Sequence, residues 1–185
     1  HLPTRRQRQM CIRDSNQETF GNLSSLLKCF EVAKKDQSDL IYFVEDDYLH
    51  YEHSLVDMLN TYERVSSQHK DEIIVCPSDY PFNYMNNEKT NILIGSQQHW
   101  RTITKMLCTF MISKKMFQKH IDNFEKTCEK RHEPFEKYLN KILESEIGIS
   151  PIKSLAIHMT NVNSSYGLSP FVDLKKLWEE NKICE

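Results

Sequence analysis

An α/β fold, with a mixed, mainly parallel sheet flanked by helices, is predicted for this 185-residue chain. Two observations predict it. Between Asn22 and Cys76, segments with helical spacing alternate with short apolar runs, and helix–strand–helix–strand is the order of parallel βα units. One of those runs, LIYFV at 40–44, does not alternate with polar residues, so it reads as a strand buried on both faces. The length suits one domain with a real core, and an apolar share of 39% is enough to build it.

The elements follow in order. Leu23, Leu26, Leu27, Phe30 and Ala33 recur at helical spacing after Asn22. The strand at 40–44 comes next. Leu55, Met58, Leu59, Tyr62 and Val65 then form one helical stripe, and Glu72–Cys76 is a second strand. The pattern breaks at PSDYPFNYMNNEKTN (77–91), a loop rich in Pro, Asn and aromatic residues. ILIG (92–95) and LCTFMIS (107–113) read as short strands on either side of SQQHWRTITK. A helix from Ser113 turns Met116, Phe117, His120, Ile121 and Phe124 inward. KTCEKRHEP is a polar connector ending in proline, FEKYLNKIL a short helix, SLAIHM a late strand and LSPFVDLKKLWEE a closing helix. No Gly-rich phosphate loop is present.

Residues 1–15, HLPTRRQRQMCIRDS, differ in character from the rest. Arg5, Arg6, Arg8 and Arg13 are more than half of the arginines of a chain that otherwise uses lysine. MCIRDS resembles the translation of a transposon-end sequencing adapter. Residues 1–15 are therefore expected to be a non-native tail, and residues 16–185 the domain. The plain alternative is a basic tail or targeting arm; without an apolar h-region it is not a secretory signal.

The whole chain carries a formal charge of −2; without the tail, 20 basic residues face 25 acidic ones, a net of −5. That balance argues against a nucleic-acid partner. The longest apolar run is five residues, against roughly 18 for a membrane span, so no span is expected. Six cysteines without CxxC spacing read as reduced thiols, which implies a cytoplasmic location.

The buried strand ends in Glu45, Asp46 and Asp47. Loops after the carboxyl ends of parallel strands form the ligand crevice of an open α/β sheet. Adjacent carboxylates repel by roughly 0.7 kcal/mol per pair at ~6 Å in water. A divalent cation would offset that cost, and hard oxygen ligands suit Mg²⁺ or Mn²⁺. The plain alternative is that these acids cap the N-terminus of the next helix.

YFVEDDYLH (Tyr42–His50), followed by HWRT (His99–Thr102) and a late strand ending in His158, resembles a viral and bacterial family of GT-A-fold glycosyltransferases. In that family EDD is a variant of the metal-binding DxD motif. The order and spacing fit from about Gly21 to Glu180. The resemblance implies a nucleotide-diphospho-sugar transferase-like fold, a nucleotide-sugar donor, a carbohydrate or other hydroxyl acceptor, and Mn²⁺ or Mg²⁺.

The resemblance also implies residue roles. Asp47 and His158 would ligate the metal. Asp46 and Glu45 would contact ribose or sugar. His99, Trp100 and Arg101 lie in the donor and acceptor region, where Arg101 could grip a phosphate or carboxylate and Trp100 could stack on a sugar face. Asp79 would border the site. A carboxylate at the start of the helix before the last strand would take the acceptor proton. This chain reads Glu133-Pro134-Phe135-Glu136 there, which departs from the paired acids of the family. Glu133 is the first candidate and Glu136 the second. Plain alternatives stand beside these roles: a core histidine for His158, a core indole for Trp100, a surface ion pair for Arg101, and a simple turn at Asp79.

GT-A domains open with a strand, helix and strand ahead of the acidic motif. Too few residues precede Glu45 for these, so the first strands are expected to be missing, with activity impaired. Two other functions remain open: a non-catalytic domain that binds a metal or sugar nucleotide, and a metal-dependent phosphohydrolase. The latter lacks the second acidic cluster of a two-metal site.

Overall fold

The computed structural model describes residues 22–85, 87–130, 134–163 and 168–182. The proposed tail at 1–15 lies outside the described residues, as does Glu133. In chain order the elements are α1 (Asn22–Lys35), β1 (Leu40–Phe43), β2 (Tyr48–His50), α2 (Ser54–His69) and β3 (Ile73–Val75). A 3-10 turn (Pro81–Tyr84), β4 (Ile92–Ile94), β5 (His99–Ile103) and β6 (Phe110–Ser113) follow. The chain continues through α3 (Lys114–Lys119), α4 (Ile121–Glu129), α5 (Lys137–Ile142), β7 (Ile147–Pro151) and β8 (Ala156–His158). A second 3-10 turn (Met159–Asn163) and α6 (Leu174–Asn181) come last.

Six strands form one sheet in the order β1-β6-β3-β7-β5-β4, and β2 and β8 pair as a separate ribbon. The fold is α/β, but the sheet is not mainly parallel. Only β3 and β7 run parallel; the other four pairings are antiparallel. The physical reason is an insertion. β1 and β3 both run antiparallel to β6, so they point the same way, as the helix–strand order requires. The later strand β6 lies between them and breaks the parallel pairing.

Strand β1 sits at an edge and is half-buried except for Phe43, which is buried. Its lack of alternation still has a cause: each face meets a different core layer. Phe43 and Ile41 pack with Phe30, Phe110, Phe117 and Phe124 under α1, α3 and α4. Leu40 and Tyr42 pack on the opposite layer, with Met58 and Val65 of α2, Trp100 and Met111. Phe30 meets Phe43 edge-on with centroids 5.2 Å apart, a favoured arrangement for aromatic quadrupoles.

Local chemistry fixes the helix ends. Lys114 reaches across to α1 and donates from Nζ to the carbonyls of Lys34 and Asp36 at 2.9 and 2.7 Å. A cation is thereby placed at the negative end of the helix dipole. The helix expected from Ser113 breaks at His120, whose φ of −110° and ψ of 20° leave the helical region, giving α3 and α4. Strand β7 carries Gly148, where a Cβ would press into Leu143 at 2.5 Å. A side chain at 148 would therefore force the Leu143 side chain, just after α5, to shift.

No helix among the described residues is long and apolar enough to cross a membrane. Cys76, Cys108 and Cys128 are thiols buried in the core. Burial pushes the Cys128 thiol up to about 12.

Candidate functional site

The carboxyl ends of β1, β3 and β7 share one rim of the sheet, because these three strands run the same way. The acidic cluster leaves β1 directly onto that rim. It does not cap a helix: Tyr48–His50 forms β2, and α2 begins only at Ser54 with His53 as its N-cap. The plain helix-cap reading of the acids therefore fails.

The β2–β8 ribbon stands over the rim and places Tyr48 directly opposite His158. Their rings stack, with centroids 4.8 Å apart and planes 13° from parallel. The stack aims His158 Nε2 at Asp47 Oδ2, 2.7 Å away. His158 Nδ1 meets Thr160 Oγ1 at 2.9 Å. The backbone helps too, since Met159 N–H donates to the Asp47 carbonyl at 2.9 Å. Both ring nitrogens and the ring face of His158 are thus held, which is how an oriented ligand imidazole is built.

Glu45 is half-buried beside this pair. Its N–H donates to Thr109 Oγ1 at 3.0 Å, and that hydroxyl donates to Glu45 Oε2 at 3.2 Å. Burial raises the pKa of Glu45, and the charges of Asp47 and Glu136 push the same way; His158 and Thr109 pull against them. Glu136 is the N-cap of α5, and its push on Glu45 is the weakest of these. Asp46 is exposed in the turn before β2. The rim brings together Glu45, Asp46, Asp47 and His158.

Asp79 and Arg101 form a second cluster beside it. Both are buried and paired with each other. Asp79 Oδ2 also accepts from Tyr84 Oη at 2.6 Å and from Ser169 Oγ. The Arg101 guanidinium lies 4.2 Å from the centre of the Tyr84 ring. Burial still raises the pKa of Asp79, outweighing the pull of Ser169, Tyr84 and Arg101. A cavity of about 10 Å³ lies between Asp79 and His158, room for one water.

Two sequence expectations change here. Trp100 presents no face to a sugar, because it is fully buried and its indole lies against Gly95, where an added Cβ would overlap it. Arg101 is neither a surface ion pair nor an open phosphate grip, since Asp79 already occupies its guanidinium. His99 is exposed at the start of β5, and its carbonyl accepts from Ile152 N–H at 3.0 Å.

Tyr48 and Thr109 escaped the sequence reading as site residues. Tyr48 lies inside the EDDYLH stretch, and its alternation with Leu49 was the available signal. Thr109 carried none, because only the antiparallel course of β6 brings it to this rim.

The donor chemistry fits a divalent cation. Bonds of roughly 2.1 Å meeting at a right angle put two donor atoms about 3.0 Å apart. Asp47 Oδ2 and His158 Nε2 stand 2.7 Å apart, a hydrogen bond in which Nε2–H donates. Both could bind one ion only after a shift of a few tenths of an ångström and loss of the Nε2 proton, with Nδ1–H then donating to Thr160 Oγ1. Among the described residues no group of three or more His, Cys, Asp or Glu side chains is arranged to hold a metal. The pair would supply at most two ligands, and solvent or a bound diphosphate would have to complete such a site. Comparison with protein-family models, characterised proteins and solved structures gave no match.

Proposed function

We propose that this domain is a metal-dependent glycosyltransferase of the GT-A type, which transfers a sugar from a nucleotide-sugar donor to an acceptor hydroxyl. The observation that carries the reading is the Asp47–His158 contact at the strand-end rim, with Glu45 alongside. An acid shortly after the edge strand β1 and a histidine at the end of β8 meet beside the strand-end rim, the place where α/β sheets bind ligands.

Asp47 and His158 would hold Mn²⁺ or Mg²⁺, with the donor diphosphate and water in the remaining positions. The bound ion would supply charge stabilisation for the departing nucleoside diphosphate. Tyr48 and Thr160 keep the imidazole in register for that contact. Thr109 orients Glu45, and Asp46 is the exposed acid available to ribose or sugar hydroxyls. Glu136, at the mouth of α5, is the described candidate for taking the acceptor proton; Glu133 precedes it in sequence. Buried cysteine thiols suit a reducing, cytoplasmic setting.

Thermal unfolding with Mn²⁺ alone, UDP or GDP alone, and each nucleotide with Mn²⁺ tests the reading. The expected result is a rise in Tm that needs nucleotide and metal together and disappears in Asp47→Asn. No rise with either nucleotide in the presence of metal would overturn it.

A further inference from the structure

Near the end of β2 and the start of α6 lies a cleft of about 380 Å³, within the size range of small-molecule sites. One wall is aromatic: Phe171 projects from the loop before α6 with 79% of its surface exposed, whereas Tyr51, at the end of β2, is buried against Ile157 and Leu177 and only borders the base. Phe171 holds φ at 68°, a left-handed conformation that a bulky residue seldom adopts.

The floor is rigid and polar. Asp57 is buried, accepts from Gln97 N–H at 3.2 Å through Oδ1 and from Gln98 Nε2 at 3.2 Å through Oδ2. Gln98 Oε1 accepts from Lys153 N–H at 2.8 Å. The Gln98 amide is thus pinned at both ends. Lys153 Nζ lies 5.3 Å from the Phe171 ring centre, and Lys176 Nζ lies 6.0 Å from that of Tyr51. The Phe171 wall therefore joins an exposed aromatic ring to a strong hydrogen-bond donor.

We propose that this cleft binds a neutral saccharide, at a site separate from the acidic rim. A pyranose has an apolar C–H face that suits an exposed aromatic ring and a belt of hydroxyls that suits amides and ammonium groups. Charge decides against a nucleotide. The two lysines of the lining are balanced by Asp57 and Asp173, and Lys176 is shared with Glu180 at 3.5 Å. A diphosphate would find no net positive field. Tyr51, in the cleft lining, follows Tyr48 by three residues, roughly 10 Å of extended chain, so the cleft adjoins the His158 contact without sharing its residues. The inference does not depend on sugar transfer at the rim.

Saturation-transfer NMR on the whole chain, without metal or nucleotide, tests it. Glucose, galactose, mannose and N-acetylglucosamine are each offered at roughly 10 mM, with UMP as the competing chemistry. At least one sugar should bind. Phe171→Ala should weaken it about fivefold or more, Phe171→Tyr should retain it, and Trp178→Ala, an exposed aromatic outside the cleft, should leave it unchanged. Far-UV circular dichroism establishes that each variant is folded. Binding of UMP in place of every sugar, no sugar bound, or sugar binding untouched by Phe171→Ala in a folded protein would overturn the proposal. Loss of the nucleotide-and-metal response at the rim would leave this result unaffected, so the two readings fail separately.

Discussion

Asp47 and His158, 111 positions apart in the chain, meet through Oδ2 and Nε2 at 2.7 Å. The contact depends on the β2–β8 ribbon, in which Tyr48 faces His158 across the ladder. Under the proposed function, loss of Asp47 separates chemistry from stability. In Asp47→Asn, metal-dependent transfer should fall by about 100-fold or more. Stability should barely move. The pair is partly solvent-exposed, with 42% of the Asp47 side chain accessible, and such pairs contribute at most about 1 kcal/mol. Loss of one charge beside Glu45 and Asp46 offsets part of that. Transfer assays and thermal melts on the same preparation check both halves; a large drop in Tm with transfer intact would give Asp47 a structural role instead.

Glu45 predicts a pH dependence. Burial raises its folded pKa above the ordinary value of 4.5. Between the unfolded and folded values the folded state binds more protons than the unfolded state, so stability falls as pH rises through that window. Above it, ionised Glu45 keeps the full cost. Glu45→Gln should therefore raise Tm at neutral pH and flatten the slope on the alkaline side of 4.5. A divalent cation should act in the same direction on the wild type, by holding the carboxylate ionised. Melts across acid to neutral pH, with and without Mn²⁺, measure this. A Glu45→Gln variant less stable than wild type at neutral pH would contradict it.

The Asp79–Arg101 pair is buried on both sides, so breaking it should cost far more than breaking a surface pair. Arg101→Ala should destabilise the domain by about 3–5 kcal/mol, because a buried carboxylate loses its cation. The loss should be greater at alkaline than at acid pH, since the stranded Asp79 can take up a proton when pH falls. Asp79→Asn combined with Arg101→Met should recover most of the stability, with Tyr84 and Ser169 still donating to the amide oxygen. Urea unfolding of the three proteins decides it; equal losses in the single and double variants would show that packing, not charge, is at stake.

The legible and illegible parts of this molecule differ in the range of the interactions that set them. EDD after an apolar run could be read as a rim because strand and cluster are contiguous. Helices α1 and α2 were readable from Leu23–Phe30 and Met58–Val65, whose spacing is local. Strand β7 was not: IGISP carries a glycine and a proline and makes a central strand only because β3 and β5 flank it. The antiparallel course of β6 is equally invisible, since strand direction belongs to the pairing and not to the segment. HWRT read as a site, yet its alternation sends Trp100 into the core and Arg101 toward Asp79. Charge and aromaticity alone could not separate those two destinations from a sugar-facing surface.

Tyr48 joins the core to the site, and its two contacts can be separated. Its hydroxyl meets that of Tyr80 at 3.0 Å in the buried interior, and burial raises the pKa of both phenols far beyond the ordinary range. Its ring stacks on His158. Tyr48→Phe keeps the ring and strands the Tyr80 hydroxyl, so stability should fall by about 1–3 kcal/mol while Mn²⁺ affinity holds. Removing the second hydroxyl as well, in Tyr48→Phe with Tyr80→Phe, should recover most of that loss, because no buried polar group is then left unpaired. Tyr48→Leu keeps an apolar side chain but loses the stack, so His158 is no longer held in register and Mn²⁺ affinity should drop about tenfold. Calorimetric titration with Mn²⁺ and urea unfolding on all three variants separate hydroxyl from ring. If Tyr48→Phe weakens metal binding as much as Tyr48→Leu does, the stacked ring is not what orients His158.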